Sequence, residues 1–334
     1  MAVSEQQIAS PYGRRLKGLT IGVVAVAVLY TGAWFYGAGK VRTLLEERFA
    51  DESGPVVVAC PNLDLRGFPF RIGVFCDSVR IDDSGSGTSL TLGALRSAAQ
   101  VYRPGHAVVE VDGPAQLRVS PGLIVSADWD LMQASGVAGT DGLDRGSLAH
   151  DGLHGGIAGG LSGNRARFEA RHGEAHLRRN AKALDAAVSF DDLLFRIGDE
   201  ALPTVDAEAD LTVADAAGWL AGRMPRDIAS AALRGDLRRL SLDLGDGVAA
   251  TLSGTFAFDA NGLLSGSFEL DMRDIAAWRS VAAKVFPQER DLVDNIADTV
   301  TALSGDGRNA GVNLTVTEGT IYMGVIPLGV LPPL

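Results

Sequence analysis

Val205–Val213 reads VDAEADLTV: Val205, Ala207, Ala209, Leu211 and Val213 are apolar, and Asp206, Glu208, Asp210 and Thr212 are polar. Strict period-2 alternation puts the two sets on opposite faces of an extended strand. Leu240–Leu244 (LSLDL) and Val312–Val316 (VNLTV) repeat the pattern. Thr251–Met272 predicts a hairpin, TLSGTFAF and LLSGSFELDM around Asp259-Ala260-Asn261-Gly262, where Asn-Gly supplies the positive φ of a tight turn. Strands with one apolar face belong to antiparallel sheets. In the first half, short strands broken by Gly and Pro are expected at Val101-Tyr102, Val108–Val111 and Leu117–Val119. The fold class is mainly β with a few packed helices (α+β), an extended antiparallel sheet.

Helices are few. Asp274 is placed to N-cap IAAWRSVAAKVF, in which Ile275, Trp278, Ala282 and Val285 recur near helical spacing. Pro287 ends that run and opens another through about Ser304, with Leu292, Ile296 and Val300 on one stripe. Asp215 is expected to cap AAGWLAG in the same manner. Leu211-x3-Asp215-x3-Trp219 and Leu270-x3-Asp274-x3-Trp278 match at an offset of 59 residues. The match suggests a repeated module, a strand ending in an Asp cap and a helix whose Trp folds back on the sheet. His150–Asn164 (HDGLHGGIAGGLSGN) reads as a Gly-rich loop or bulged strand and marks a boundary between β-rich halves, 40–150 and 151–334.

Ahead of the strands, Gly18–Gly39 (GLTIGVVAVAVLYTGAWFYGAG) holds no charge over 22 residues. As a helix it is about 33 Å long, enough to cross a hydrocarbon core of about 30 Å. Arg14, Arg15 and Lys17 precede it, while Lys40 and Arg42 are soon offset by Glu46, Glu47, Asp51 and Glu52. The positive-inside bias then predicts a cytoplasmic tail (1–17), a single transmembrane anchor (18–39) and a remainder outside the cytoplasm. A cleaved signal peptide competes with this reading, but bulky Trp34, Phe35 and Tyr36 occupy the cleavage region. A buried core helix is the other alternative. The whole chain carries −11; residues 1–50 hold six Lys/Arg against three Glu, which leaves −14 for the rest. So acidic a body does not bind nucleic acid by its net field.

Two sets of residues invite a chemical reading. Cys60 and Cys76 lie 16 positions apart without a C-x-x-C or a nearby His, which favours a structural disulfide over a reactive thiol or metal pair. His150/His154 and His172/His176 are each four apart, a spacing that admits zinc. No H-E-x-x-H accompanies them, so solvated histidines are the plainer reading. No G-x-S-x-G elbow or Walker A loop occurs, and the run Gly155–Gly163 lacks a following Lys-Ser/Thr. The carboxylates fall at alternating strand positions, the ordinary solvated face. No catalytic, cofactor or metal residues are assigned, and a non-enzymatic protein is expected.

The block Cys60-Pro61 … Arg66-Gly67-Phe68-Pro69-Phe70-Arg71 … Cys76 is distinctive. Gly67 permits a bend, Pro69 blocks ladder pairing, and Phe68 and Phe70 present bulk, so a core-plugging turn beside the disulfide is expected rather than a ligand site. With Val101-Tyr102-Arg103-Pro104, Gly113-Pro114, Ile326-Pro327-Leu328-Gly329 and the N-terminal anchor, the block resembles the domain of unknown function 2125 family of Gram-negative bacteria. That family brings no activity or catalytic residues. The strand–turn grammar also looks like the AsmA-like envelope proteins, whose long sheets are linked to lipid movement and outer-membrane upkeep. The resemblance implies a role in cell-envelope maintenance or lipid binding; a scaffold binding envelope proteins through a sheet edge is the alternative.

Overall fold

The computed structural model describes residues 11–50, 54–119, 122–159, 165–198, 200–225, 232–285, 290–303 and 308–333. It opens with a 40-residue helix, α1 (Pro11–Ala50), which continues past Gly39 to the edge of the strands. Residues 40–50 are therefore helix and not the start of a β-rich half. From Arg15 to Tyr30 the helix is exposed all round. Beyond that, Thr31, Trp34, Ala38, Val41, Leu45 and Phe49 are covered, a helical stripe that rests on the body.

The strands described after α1 form one antiparallel meander. Its first strands are β1 (Val56–Ala59), β2 (Asp64–Arg66), β3 (Arg71–Cys76), β4 (Val79–Asp83), β5 (Thr88–Leu92), β6 (Leu95–Gln100), β7 (Arg103–Val111), β8 (Ala115–Val119), β9 (Leu123–Asp128) and β10 (Leu131–Gly139). These are halves of longer arms. β3 and β4 pair with β6 and β5, those with β7 and β8, and those with β10 and β9. Both β9 and β10 then pair with the 17-residue β11 (Gly142–Ala158). Hydrogen bonding continues across the breaks, from Gly93 N to Asp112 O (3.1 Å), Asp112 N to Ala94 O (2.8 Å) and Asp130 N to Asp151 O (3.0 Å). The Gly and Pro that read as strand ends thus bend arms without ending them. Val101-Tyr102, expected as a strand, is instead the turn between β6 and β7.

The meander continues through β12 (Arg165–Asn180), β13 (Ala183–Ile197), β14 (Glu200–Ala201), β15 (Val205–Val213), β16 (Arg234–Asp243), β17 (Ala249–Phe258), β18 (Leu264–Arg273), β19 (Asn309–Thr317), β20 (Thr320–Met323) and β21 (Ile326–Val330). The boundary expected at residue 150 falls inside β11, where Gly155 leaves room for a ring of the next strand: a Cβ on it would sit 2.6 Å from the Phe168 ring. The same device recurs. Gly173 is paired with Phe190, Gly235 with Phe256 and Gly254 with Phe268, each glycine leaving room for the ring opposite. Gly159 and His150–Ala158 are described; residues 160–164 of the expected loop lie outside the described residues.

Residues paired across an antiparallel ladder share a face. One face of the second half is apolar (Leu184, Val213, Phe256, Leu270, Val312) and carries the helices. A five-residue 3₁₀ turn, η1 (Ala217–Ala221), lies at one end, with Trp219 against Leu184, Val213 and Ala216. Helices α2 (Ile275–Val285) and α3 (Arg290–Leu303) lie at the other, with Ile275, Ala297 and Val300 on Ala310 and Val312. Ile296 and Val300 join that packing as the stripe predicts, while Pro287 lies outside the described residues. The opposite face carries ion pairs. Asp185, 6 % exposed, accepts from Arg178 (2.7 Å), Thr212 (2.8 Å) and Asn180, with Arg238 at 3.5 Å. These donors hold its carboxyl at about 2, well below the usual range.

Candidate functional site

The turn Gly67–Phe70 joins β2 to β3 and meets α1. Gly67 has φ of 120°, and a Cβ there would stand 2.7 Å from the Arg71 carbonyl oxygen, so the bend needs glycine. The Trp34 indole N–H donates to the Arg71 carbonyl at 3.1 Å, and the Tyr30 hydroxyl donates to the Pro69 carbonyl at 2.6 Å. Phe68 meets Trp34 edge-on with centroids 5.4 Å apart and stacks on Phe35 at 5.6 Å. Trp34 is 6 % exposed, but Phe68 and Phe70 remain 47 % and 64 % exposed. The turn therefore does not plug the sheet core. Its partner is the apolar helix, since Pro69 and the sharp bend carry Phe68 beyond the end of the ladder.

A disulfide joins Cys60, between β1 and β2, to Cys76 at the end of β3, with Cα atoms 5.2 Å apart. It closes the base of the hairpin whose tip is the Gly67–Phe70 turn. Beside that tip, the Val101 N–H donates to the Phe70 carbonyl at 3.0 Å and brings Tyr102, 68 % exposed, next to Phe70. Three exposed aromatics thus share one end of the sheet with α1.

From this end a groove of about 560 Å³ runs along β6, β7, β10 and β11, and a second of about 540 Å³ continues it, the two sharing Ala98, Val108, Ser135 and Ser147. In the far half the charged groups are paired with one another. Arg96 binds Glu110 (2.6 Å) and Asp112 (2.5 Å), and Glu174 accepts from His176 (2.9 Å). Hydrogen bonds from Arg96 first, then Gln133, hold the Glu110 carboxyl below its usual range. His172 and His176 do share a face, as their spacing predicts. His150 is paired with Gly173 and points to the other face, so the imidazoles do not converge. Among the described residues no group of three His, Cys, Asp or Glu could hold a metal ion.

The two Asp-Trp segments differ. Asp274 Oδ1 accepts from the Ala277 N–H at 3.0 Å, an N-cap, and the Trp278 indole donates to the Ala249 carbonyl at 3.2 Å. Asp215 caps nothing: its Oδ2 accepts from Arg234 at 2.8 Å, and η1 has no side-chain cap. Because β15 and β18 stand three ladder steps apart they run in opposite directions, and the two segments close opposite ends of the sheet. Sequence reasoning missed the helix–turn contact and the groove. The helix–turn contact leaves one signal, four aromatics (Tyr30, Trp34, Phe35, Phe68) across two segments.

These features define a protein with one N-terminal apolar helix, long enough to cross a membrane or to serve as a signal sequence, pinned to a disulfide-bonded β-meander. The family model for DUF2125, an uncharacterized protein conserved in bacteria, matches residues 34–332, and the chain belongs to that family. The match begins at Trp34, the residue that ties α1 to the turn. No curated protein and no solved structure matches the chain.

Proposed function

We propose that this is a non-enzymatic, single-pass inner-membrane protein with its N-terminus in the cytoplasm and its meander in the periplasm, where it serves envelope maintenance by holding lipid acyl chains on the apolar sheet face. The observation that carries the lipid part is incomplete coverage of that face. On that same face, Leu148 of β11 and Leu177 of β12 stay 36 % and 39 % exposed. Apolar surface left open there favours an apolar occupant by about 25 cal/mol per Å² buried. The disulfide supports the periplasmic side, since such bonds persist in oxidising compartments.

Lipid extraction from the full chain, purified in mild detergent, tests the lipid part. Stoichiometric phospholipid is expected, and lipid-free protein with Leu148 and Leu177 protected from solvent would overturn it. Reporter fusions in the turn at residues 244–248 test the topology: activity on the periplasmic side is expected, and mature chain lacking residues 1–38 would mark a cleaved signal. The scaffold reading draws on β21, the last rung of the ladder, with Val330 73 % exposed beside an unpaired edge. In-cell crosslinking that yields one dominant protein partner at β21 would favour it.

A further inference from the structure

In a chain of net charge −11, one groove has three arginines and no carboxylate among its lining residues. Arg71, Arg103, His106 and Arg145 face the near half of the groove described above, and no Asp or Glu joins them. Arg71, Arg103 and Arg145 make no ion pair among the described residues. The far half, by contrast, pairs its Arg96 twice. Three guanidiniums left without carboxylates in an acidic protein form a local positive field aimed at an anion.

The position of the groove says which anion. The part of α1 exposed all round, Arg15–Tyr30, is about 24 Å long, short of the 30 Å a bilayer core requires. With Arg15 and Lys17 left at the far surface, a span of about 20 residues from Gly18 runs to residue 37, so residues 31–37, which meet the body, lie within the membrane as well. Trp34 stands six residues, about 9 Å, before Lys40, so the turn it binds lies at or below the headgroup level. Phe68, Phe70 and Tyr102 are exposed at that level, as interfacial aromatics are. Arg71 and Arg103 directly follow the two turns and open the groove there.

We propose that the Phe68–Phe70 and Tyr102 turns enter the outer leaflet of the membrane that α1 spans, and that Arg71, Arg103, His106 and Arg145 bind the phosphate headgroup of an anionic phospholipid at the mouth of the groove. The guanidiniums donate to the phosphate oxygens, and the small side chains of Ala98, Ser135 and Ser147 leave the groove floor open beside it. The site rests on the membrane-anchored reading and lies on the opposite sheet face from Leu148.

The test is native mass spectrometry of the full chain in uncharged detergent with equal amounts of phosphatidylglycerol and phosphatidylcholine of identical acyl chains. Wild type is expected to retain phosphatidylglycerol preferentially, and the triple variant Arg71→Gln, Arg103→Gln, Arg145→Gln to lose that preference on the order of tenfold. Arg118→Gln, at the far end of β8, should change nothing. Arg103→Glu alone gives a second variant should the triple one misfold. Equal retention of both lipids by folded wild type, or displacement of the lipid by inorganic phosphate at equal concentration, would overturn the proposal. Alkaline extraction separates the two readings. A chain released from membranes removes the anchor itself, whereas a retained chain without lipid preference removes the headgroup site alone.

Discussion

Replacing Asp185 by Asn removes one charge from the polar face and leaves the side-chain shape intact. The wild-type carboxylate is 6 % exposed and has a folded pKa of about 2 against an ordinary value of 3.8, because Arg178, Thr212, Asn180 and Arg238 donate to it or face it. A depression of that size corresponds to about 2.5 kcal/mol at neutral pH. Arg178 is 69 % exposed and Arg238 41 %, so solvent screens part of the attraction. About 2 kcal/mol is the net expectation, which for a body of this size lowers Tm by about 4–8 °C. The sign of the pH dependence follows from the depressed pKa: the contribution is full above pH 4 and is lost as pH falls toward 2. Urea unfolding followed by circular dichroism at pH 7, 5 and 3 measures it. The gap between wild type and Asp185→Asn should be near 2 kcal/mol at pH 7 and smaller at pH 3. A gap under 0.5 kcal/mol, or one that does not change with pH, would refute the assignment of Asp185 as the anionic centre of that network.

Further outcomes follow from the other contacts. Cys60→Ser, Cys76→Ser and the double variant should each lose about 3 kcal/mol, since a loop of 16 residues is opened in every case; non-reducing mass spectrometry and urea unfolding read it, and unequal losses would contradict the bridge as the cause. His150 is 5 % exposed with neither ring nitrogen hydrogen-bonded, and burial first, then the charge of His172, lowers its pKa. Wild type should therefore lose stability as pH falls below 6.5, and His150→Leu should gain about 1 kcal/mol and flatten that fall. Hydrogen exchange of residues 64–76 tests the helix contact: Trp34→Ala should speed exchange there by more than tenfold, and Trp34→Phe should restore much of the protection, whereas equal exchange in both would deny the packing.

Alternation made the second half legible, because Val205–Val213 and the Thr251–Met272 hairpin carry their face assignment in every residue. The Asp259 hairpin turn is formed as its residues suggest, with Oδ1 accepting from the Asn261 and Leu263 N–H groups. The first half was less legible for a physical reason. Gly93, Gly113 and Pro114 disrupt a ladder locally, and only the neighbouring arm shows that the chain resumes in register. In β11 Gly155 matches the Phe168 ring, supplied by the next strand, which a single strand cannot announce. Asp215 failed as a cap because Arg234, nineteen residues on, takes its carboxylate. The groove cations were scattered over three strands, so their convergence had no signature in the chain order.

The meander pairs each arm only with those before and after it. For a chain whose strands enter their compartment in sequence order, this means that no arm waits for a hydrogen-bonding partner from a distant part of the sequence. Each ladder can close as soon as its second strand emerges, so the exposed edge is one strand long at every stage and moves with the growing end. The α2–α3 pair is the exception. Ile275, Ala297 and Val300 rest on Ala310, Val312 and Met323, all of which arrive later, and the helices must remain unshielded until β19 and β20 are in place.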